Sequence, residues 1–190
     1  MTMIDSFQVE QIKSFLEAFT GWDTNNKYCI KNSAGQQAYY AVEDTDACMR
    51  VCCGNQRGFQ INVLDNMQNI VMRISREFKC CTGCCWCAGM CDHCAFEVTV
   101  EAPVGQVVGY VKQGGSFWKA NYDILDEAHE PILKIEGPCC ILDGPCCPCE
   151  NEFKLLTLDK SSQIGSVKKV YAGFLTEMVT MADRFSIDCK

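Results

Sequence analysis

Five times between Tyr28 and Val167 this chain repeats one pattern, and that pattern limits the fold more than any other feature of the sequence. Each repeat holds a run with apolar residues at alternate positions, a polar turn, and a second such run. The paired runs are 28–30 with 38–42, 59–64 with 70–74, 96–100 with 107–111, 122–125 with 132–135, and 153–156 with 164–167. Strand side chains point alternately to two faces, so a period of two buries one face and wets the other. Between the runs lie Asn32-Ser33-Ala34-Gly35, Asp65-Asn66, Ala102-Pro103-Val104-Gly105, the stretch from Asp126 to Pro131, and Asp159-Lys160-Ser161-Ser162. Such residues reverse a chain by tolerating positive φ or by bonding their own backbone. Ten or more short strands in successive hairpins imply an all-β antiparallel sandwich or, since closure removes exposed edges, a barrel. With 190 residues, 48% of them hydrophobic, one core and a single domain over 1–190 follow.

Ahead of the repeats, Asp5 and Gln8 are spaced as a capping box, and Phe7, Val9, Ile12, Phe15, Leu16 and Phe19 recur at near-helical spacing before Gly21. A short N-terminal helix over 5–20 is expected, with the barrel over 27–190.

Seventeen cysteines are crowded into short runs that fall between the hairpins. One run spans 80–94, another 139–149, and a third is Cys48 with Cys52 and Cys53. Such density means disulfides, a metal site or a platform for fatty acylation. No basic segment followed by an apolar run opens the sequence, and no apolar stretch reaches the ~18–20 residues that span a bilayer. The expected address is therefore cytosolic, where thiols stay reduced. Adjacent cysteines such as Cys80 and Cys81 also bridge poorly. Disulfides rank last. Cys81-x-x-Cys84, Cys84-x-x-Cys87, Cys91-x-x-Cys94 and Cys146-x-x-Cys149 have zinc-knuckle spacing, with His93 among them, so on spacing alone zinc and acylation stand level. Cys29 and Cys48 read as small buried residues and Cys189 as a free thiol.

A net charge of −7 argues against nucleic acid as a partner and against purely electrostatic attachment to anionic lipid. No Gly-x-Ser-x-Gly elbow, phosphate-cradling loop or dinucleotide fingerprint occurs, and His93 and His129 are the two histidines a Cys-His nucleophile would need. An enzyme active site is not expected.

Lys27-Tyr28-x-Ile30-Lys31-Asn32-Ser33-x-Gly35-Gln36 followed by Ala41-x-Glu43-Asp44-Thr45-Asp46 resembles the opening of the phospholipid scramblase domain. The resemblance continues through Cys52-Cys53-Gly54, Leu64-Asp65-Asn66, Ala102-Pro103-x-Gly105, Gly109-Tyr110-Val111, Leu133-Lys134-Ile135-x-Gly137-Pro138-Cys139 and Thr180-x-Ala182-Asp183-x-Phe185-x-Ile187. It implies a tubby-like closed antiparallel barrel of about twelve strands around an apolar C-terminal helix. The sequence reaches Lys190 without such a helix, so a missing or truncated core helix is expected.

The same resemblance implies calcium-dependent, ATP-independent movement of phospholipids between leaflets, at the cytoplasmic face of the plasma membrane. It also implies covalent palmitate on Cys80, Cys81, Cys84, Cys85 and Cys87, and it favours acylation over zinc. Stable attachment takes about two lipid signals, which several cysteines would supply, and Trp86 beside them suits a membrane interface. For calcium, Asp183 survives of the family's acidic segment and Asp188 is the other acid of the terminal stretch, a sparse set for an ion that takes six or more oxygens. Arg73, Arg76 and Lys79 are candidates for a phosphoinositide pocket, and Lys168-Lys169 aligns with a nuclear-import stretch but reads more simply as a solvated strand face. The alternative is a lipid- or zinc-binding adaptor that transports nothing.

Overall fold

The computed structural model describes residues 6–12, 26–53, 56–79, 86–138, 151–170 and 183–189. Among them are twelve strands: β1 (Ser6–Ile12), β2 (Lys27–Asn32), β3 (Gln37–Asp44), β4 (Phe59–Leu64), β5 (Ile70–Arg76), β6 (Glu97–Glu101), β7 (Val107–Gly114), β8 (Asn121–Leu125), β9 (Pro131–Glu136), β10 (Glu152–Leu156), β11 (Gln163–Lys169) and β12 (Arg184–Cys189). Each pairs antiparallel with its neighbours in sequence, and β1 pairs with both β2 and β12 to close the barrel. The five expected hairpins are β2–β3, β4–β5, β6–β7, β8–β9 and β10–β11.

The N-terminal helix does not form over residues 6–12, and the barrel begins at Ser6 rather than at 27; the rest of the 5–20 span lies outside the described residues. The physical reason is tertiary. Phe7 and Val9 alternate with Gln8 and Glu10, and the last free edges of the sheet, β2 and β12, offer two ladders to whatever lies between them. A strand there satisfies every backbone group and removes both edges, which outweighs a modest local helix preference.

Register shows which face is inside. Phe7 stands opposite Ile187, Val9 opposite Ile30, Val63 opposite Met72 and Ile74 opposite Val100. The ring continues through Val98, Val111, Ile124, Leu133, Ile135, Leu155 and Val167 back to Ile187. Part of this lumen is a cavity of about 410 Å³ lined by Phe7, Val9, Ile30, Tyr39, Val63, Met72, Ile74 and Ile187. The outer wall alternates charge around the barrel, as in Asn62–Arg73–Glu101, Glu97–Lys112–Asp123–Lys134 and Glu136–Lys154–Ser166–Asp188.

An up-and-down barrel has two ends. At one, the turn end, five short turns share a geometry: residue one accepts from the N–H of residue four, as in Gly35 to Asn32, Gln68 to Asp65, His129 to Asp126 and Lys160 to Thr157. Left-handed backbone sits at Gly35, Gln68, Gly105, His129 and Lys160. Asn32, Asp65, Asp126 and Asp159 accept backbone N–H bonds within their own turns. Every one of these hairpins also shifts register beside its turn, at Ile30, Val63, Val100, Ile124 and Leu155, a bulge that adds the twist closure needs. The other end carries the long connections.

Candidate functional site

Because successive strands alternate direction, the β3–β4, β5–β6 and β9–β10 connections all leave and return at the loop end. These are the three that hold the cysteine runs. Cys80, Cys81, Cys84, Cys85 and the run 139–149 lie outside the described residues, but the strand ends that bracket them place their anchors on this rim. Cys87 is described and exposed, and none of the eight described cysteines is in a disulfide.

The described half of the first run is firmly seated. A single 3₁₀ turn, Trp86–Met90, sits against the end of β7. Gly89 is required there, since a Cβ would come within 2.4 Å of the Gly114 backbone. Ala88 and Ala95 are buried, and Lys112 Nζ reaches Asp92 Oδ1 at 2.8 Å. This geometry presents Cys87 and Cys91 outward. Hydrogen bonding from the Cys94 thiol, then from the backbone of His93 and Cys94, holds the Cys91 thiol below its ordinary value. A larger thiolate fraction makes a better nucleophile toward an acyl donor. The sequence reading singled out Cys80, Cys81, Cys84, Cys85 and Cys87 and passed over Cys91, whose lowered thiol comes from local geometry that spacing does not encode.

The third run forms a short helix, α1 (Ala47–Cys53), whose start is capped by Asp46 Oδ1 accepting from the Cys48 N–H at 2.8 Å. Cys48 is therefore exposed rather than buried as expected: it is in the first turn of a helix lying outside the wall. Its sulfur is 3.9 Å from that of Cys52, and this hydrogen bond, followed by the charges of Cys52 and Asp46, raises the Cys48 thiol. Cys29 is buried and Cys189 is an exposed free thiol.

The acidic cluster before α1 divides by face. Glu43 faces the lumen and is 3% exposed, where Arg57 donates to it at 2.9 Å, joined by Asn26 and Thr45. Burial alone would raise its carboxyl, but the bonds from Asn26, Thr45 and Arg57, with the Arg57 charge, leave it below the ordinary range. Arg76 lies on the same inward face, its guanidinium 4.6 Å from the Phe59 ring and 4.5 Å from that of Phe96, and donates to the Arg57 carbonyl. Lys169, also inward, holds Asp183 at 3.0 Å. The lumen thus runs from apolar toward the turn end to charged at its loop-end mouth.

Arg73, Arg76 and Lys79 do not form one basic pocket. Arg73 points outward to Asn62, Arg76 points inward, and Lys79 reaches the Ala95 carbonyl. Lys168 and Lys169 likewise fall on opposite faces, Lys168 beside Glu152. Asp183 and Asp188 are not brought together: five residues of extended chain separate them by roughly 16 Å, and Asp188 is on the outer wall opposite Ser6 and Ser166. With Asp183 already held by Lys169, this pair does not fit a shared calcium ion. Among the described residues no three His, Cys, Asp or Glu side chains converge on a metal-sized space. His129 stacks on Tyr110 at 3.8 Å, and His93 is exposed in the cysteine run.

A profile of the scramblase family matches residues 1–190. The chain is 41% identical over 188 residues to phospholipid scramblase 1 of Rattus norvegicus, covering 98% of this chain and 53% of that one. It is 39% identical to phospholipid scramblase 1 of Homo sapiens and 39% identical to phospholipid scramblase 2 of Bos taurus, over 56% and 61% of their lengths. It therefore spans a little over half the length of these relatives. No solved structure matches it significantly.

Proposed function

The chain belongs to the scramblase family, and we propose that it acts on the transbilayer distribution of phospholipids from the cytoplasmic face of the plasma membrane, tethered there by thioester-linked acyl chains. The observation that carries this reading is the family match over the whole chain. The polarity of the barrel supports a location beside the bilayer. A membrane-spanning barrel carries an apolar band outside and polar groups within; here the apolar ring is inside and the outer wall is charged, Lys112, Asp123 and Lys134 lying side by side across three strands. No helix among the described residues is long and apolar enough to cross a membrane.

The cysteines of the 80–94 run, with Cys91 added to Cys80, Cys81, Cys84, Cys85 and Cys87, are the acylation platform in this reading. One acyl chain gives marginal attachment and two give stable attachment, at about 0.8 kcal/mol per buried CH₂. Calcium enters no step of the proposal, because the two remaining acids do not share a site.

Moving a headgroup between leaflets requires a polar route through roughly 30 Å of hydrocarbon. A charged wall that stays outside the bilayer offers no such route, which favours a second reading: a membrane-attached, lipid-binding adaptor. Reconstitution of the purified chain in liposomes with a leaflet-selective lipid probe separates the two. Equilibration of the probe at or above the rate seen with a known scramblase supports transport by this chain; a rate equal to that of protein-free liposomes supports the adaptor. Intact mass before and after hydroxylamine tests the tether, with loss of acyl mass expected.

A further inference from the structure

Two aromatic side chains at the loop end have no packing role in the barrel. Phe117 and Trp118 stand in the β7–β8 connection, 69% and 78% exposed. Their loop is fixed at both feet. Ser116 Oγ accepts from the N–H groups of Trp118 and Lys119 at 3.4 and 3.1 Å, a local turn that presents both rings away from the wall. Beyond them Ala120 is fully buried and its carbonyl accepts from Gly137 N–H at 2.8 Å. Lys119 is clamped to Glu136 at 2.5 Å. On the other side Gly115 packs so closely on Met90 that a Cβ there would come within 2.9 Å of Met90 Cγ. Met90 is itself 60% exposed, so exposed apolar side chains flank the close contact between Gly89 and Gly115.

We propose that Phe117 and Trp118 are a wedge that inserts into the boundary between headgroups and acyl chains of a phospholipid bilayer. It rests on the reading that the loop end faces the membrane, and it adds a lipid contact that needs no acylation. Tryptophan suits that depth, its ring entering the acyl region while its N–H stays among headgroups. The family match points to a phospholipid surface as the occupant, and the cysteine runs anchored on the same rim set which end meets it. Exposed acids lie at both ends, Asp44, Asp46, Glu77 and Asp92 at the loop end and Glu127, Glu130 and Asp159 at the turn end, so charge does not choose between them. The whole chain carries −7, so attraction must come from apolar insertion rather than net charge.

The test uses the purified full chain, unacylated as made in bacteria, with phosphatidylcholine vesicles with and without phosphatidylserine. Trp22→Phe with Trp86→Phe leaves Trp118 as the single tryptophan of three. Its emission should shift to the blue on vesicles and be quenched by phosphatidylcholine brominated near the top of the acyl chains. Co-flotation with vesicles should fall about tenfold in Phe117→Ser/Trp118→Ser, recover in Phe117→Tyr/Trp118→Phe, and stay unchanged in Met67→Ser at the turn end. Unquenched Trp118, or equal flotation of the serine variant, overturns the wedge. So does a serine variant that loses self-association while keeping vesicle binding, which makes the loop an interface between copies. A wedge that fails while hydroxylamine still releases acyl mass leaves the tether standing; a wedge that succeeds on a chain that is never acylated in cells does the reverse.

Discussion

The two ends of the barrel differ in how they spend sequence. At the turn end, five connections of nearly the same length each close with a bond from the N–H of residue four to the carbonyl of residue one, beside a bulge, and Asp65, Asp126 and Asp159 accept N–H bonds within their own turns. Asp159 shows how fully: the Thr157 hydroxyl, then Ser161, hold its carboxyl at about 2. At the loop end every connection but β7–β8 is long, the ladders pass without register shifts, and the cysteine runs, the exposed aromatics and the charged mouth of the lumen all gather. One end closes the barrel and the other is left free to carry function, because a scaffold already closed by short turns tolerates long insertions at small entropic cost.

The sharpest way to break this contrast is to remove the acylation platform. Serine at Cys80, Cys81, Cys84, Cys85, Cys87 and Cys91 should shift the chain in cells from the membrane fraction almost wholly to the supernatant, without lowering the thermal midpoint of the purified protein. A second effect concerns the mouth of the lumen. Arg57→Met removes the cation hydrogen-bonded to buried Glu43 and should cost about 2–4 kcal/mol in denaturant unfolding, discounted for the partial exposure of Arg57. Next comes acid. Glu43 has a depressed folded pKa, so its contribution to stability is complete above its ordinary value near 4.5 and is lost as pH falls through the lower folded value. Unfolding curves of Glu43→Gln should therefore be flatter with pH than wild type below that point, and less stable than wild type above it. The smallest effect belongs to the turn end. Gly35 has φ +75° with nothing near its missing side chain, so Gly35→Ala should cost only about 1–2 kcal/mol of backbone strain and leave membrane attachment unchanged.

The turn end was also the legible end. Hairpins declare themselves because strand, turn and partner strand lie within about twenty residues, and every local signal agrees. β1 and β12 did not, since Phe7 meets Ile187 only once the barrel has closed, and nothing local to either segment announces a partner so far along the chain. At the loop end, composition exposed the cysteine runs but not their surroundings. The outward Cys48 depends on a helix cap at Asp46, the lowered Cys91 thiol on a hydrogen bond from Cys94, and the separation of Arg73 from Arg76 on which strand face each occupies. No local pattern marks Phe117 and Trp118, whose loop is set apart by Ala120 and Gly115 fixing both its feet.

The most direct test of the whole account asks which end touches lipid. A photoreactive phenylalanine analogue placed at position 117 or at position 67, in the chain expressed in cells, reports its neighbours on illumination. Strong cross-linking to phospholipid from 117 and almost none from 67 is the expected result. Equal labelling from both positions, or labelling from 67 alone, would contradict the claim that this barrel meets the bilayer by its loop end.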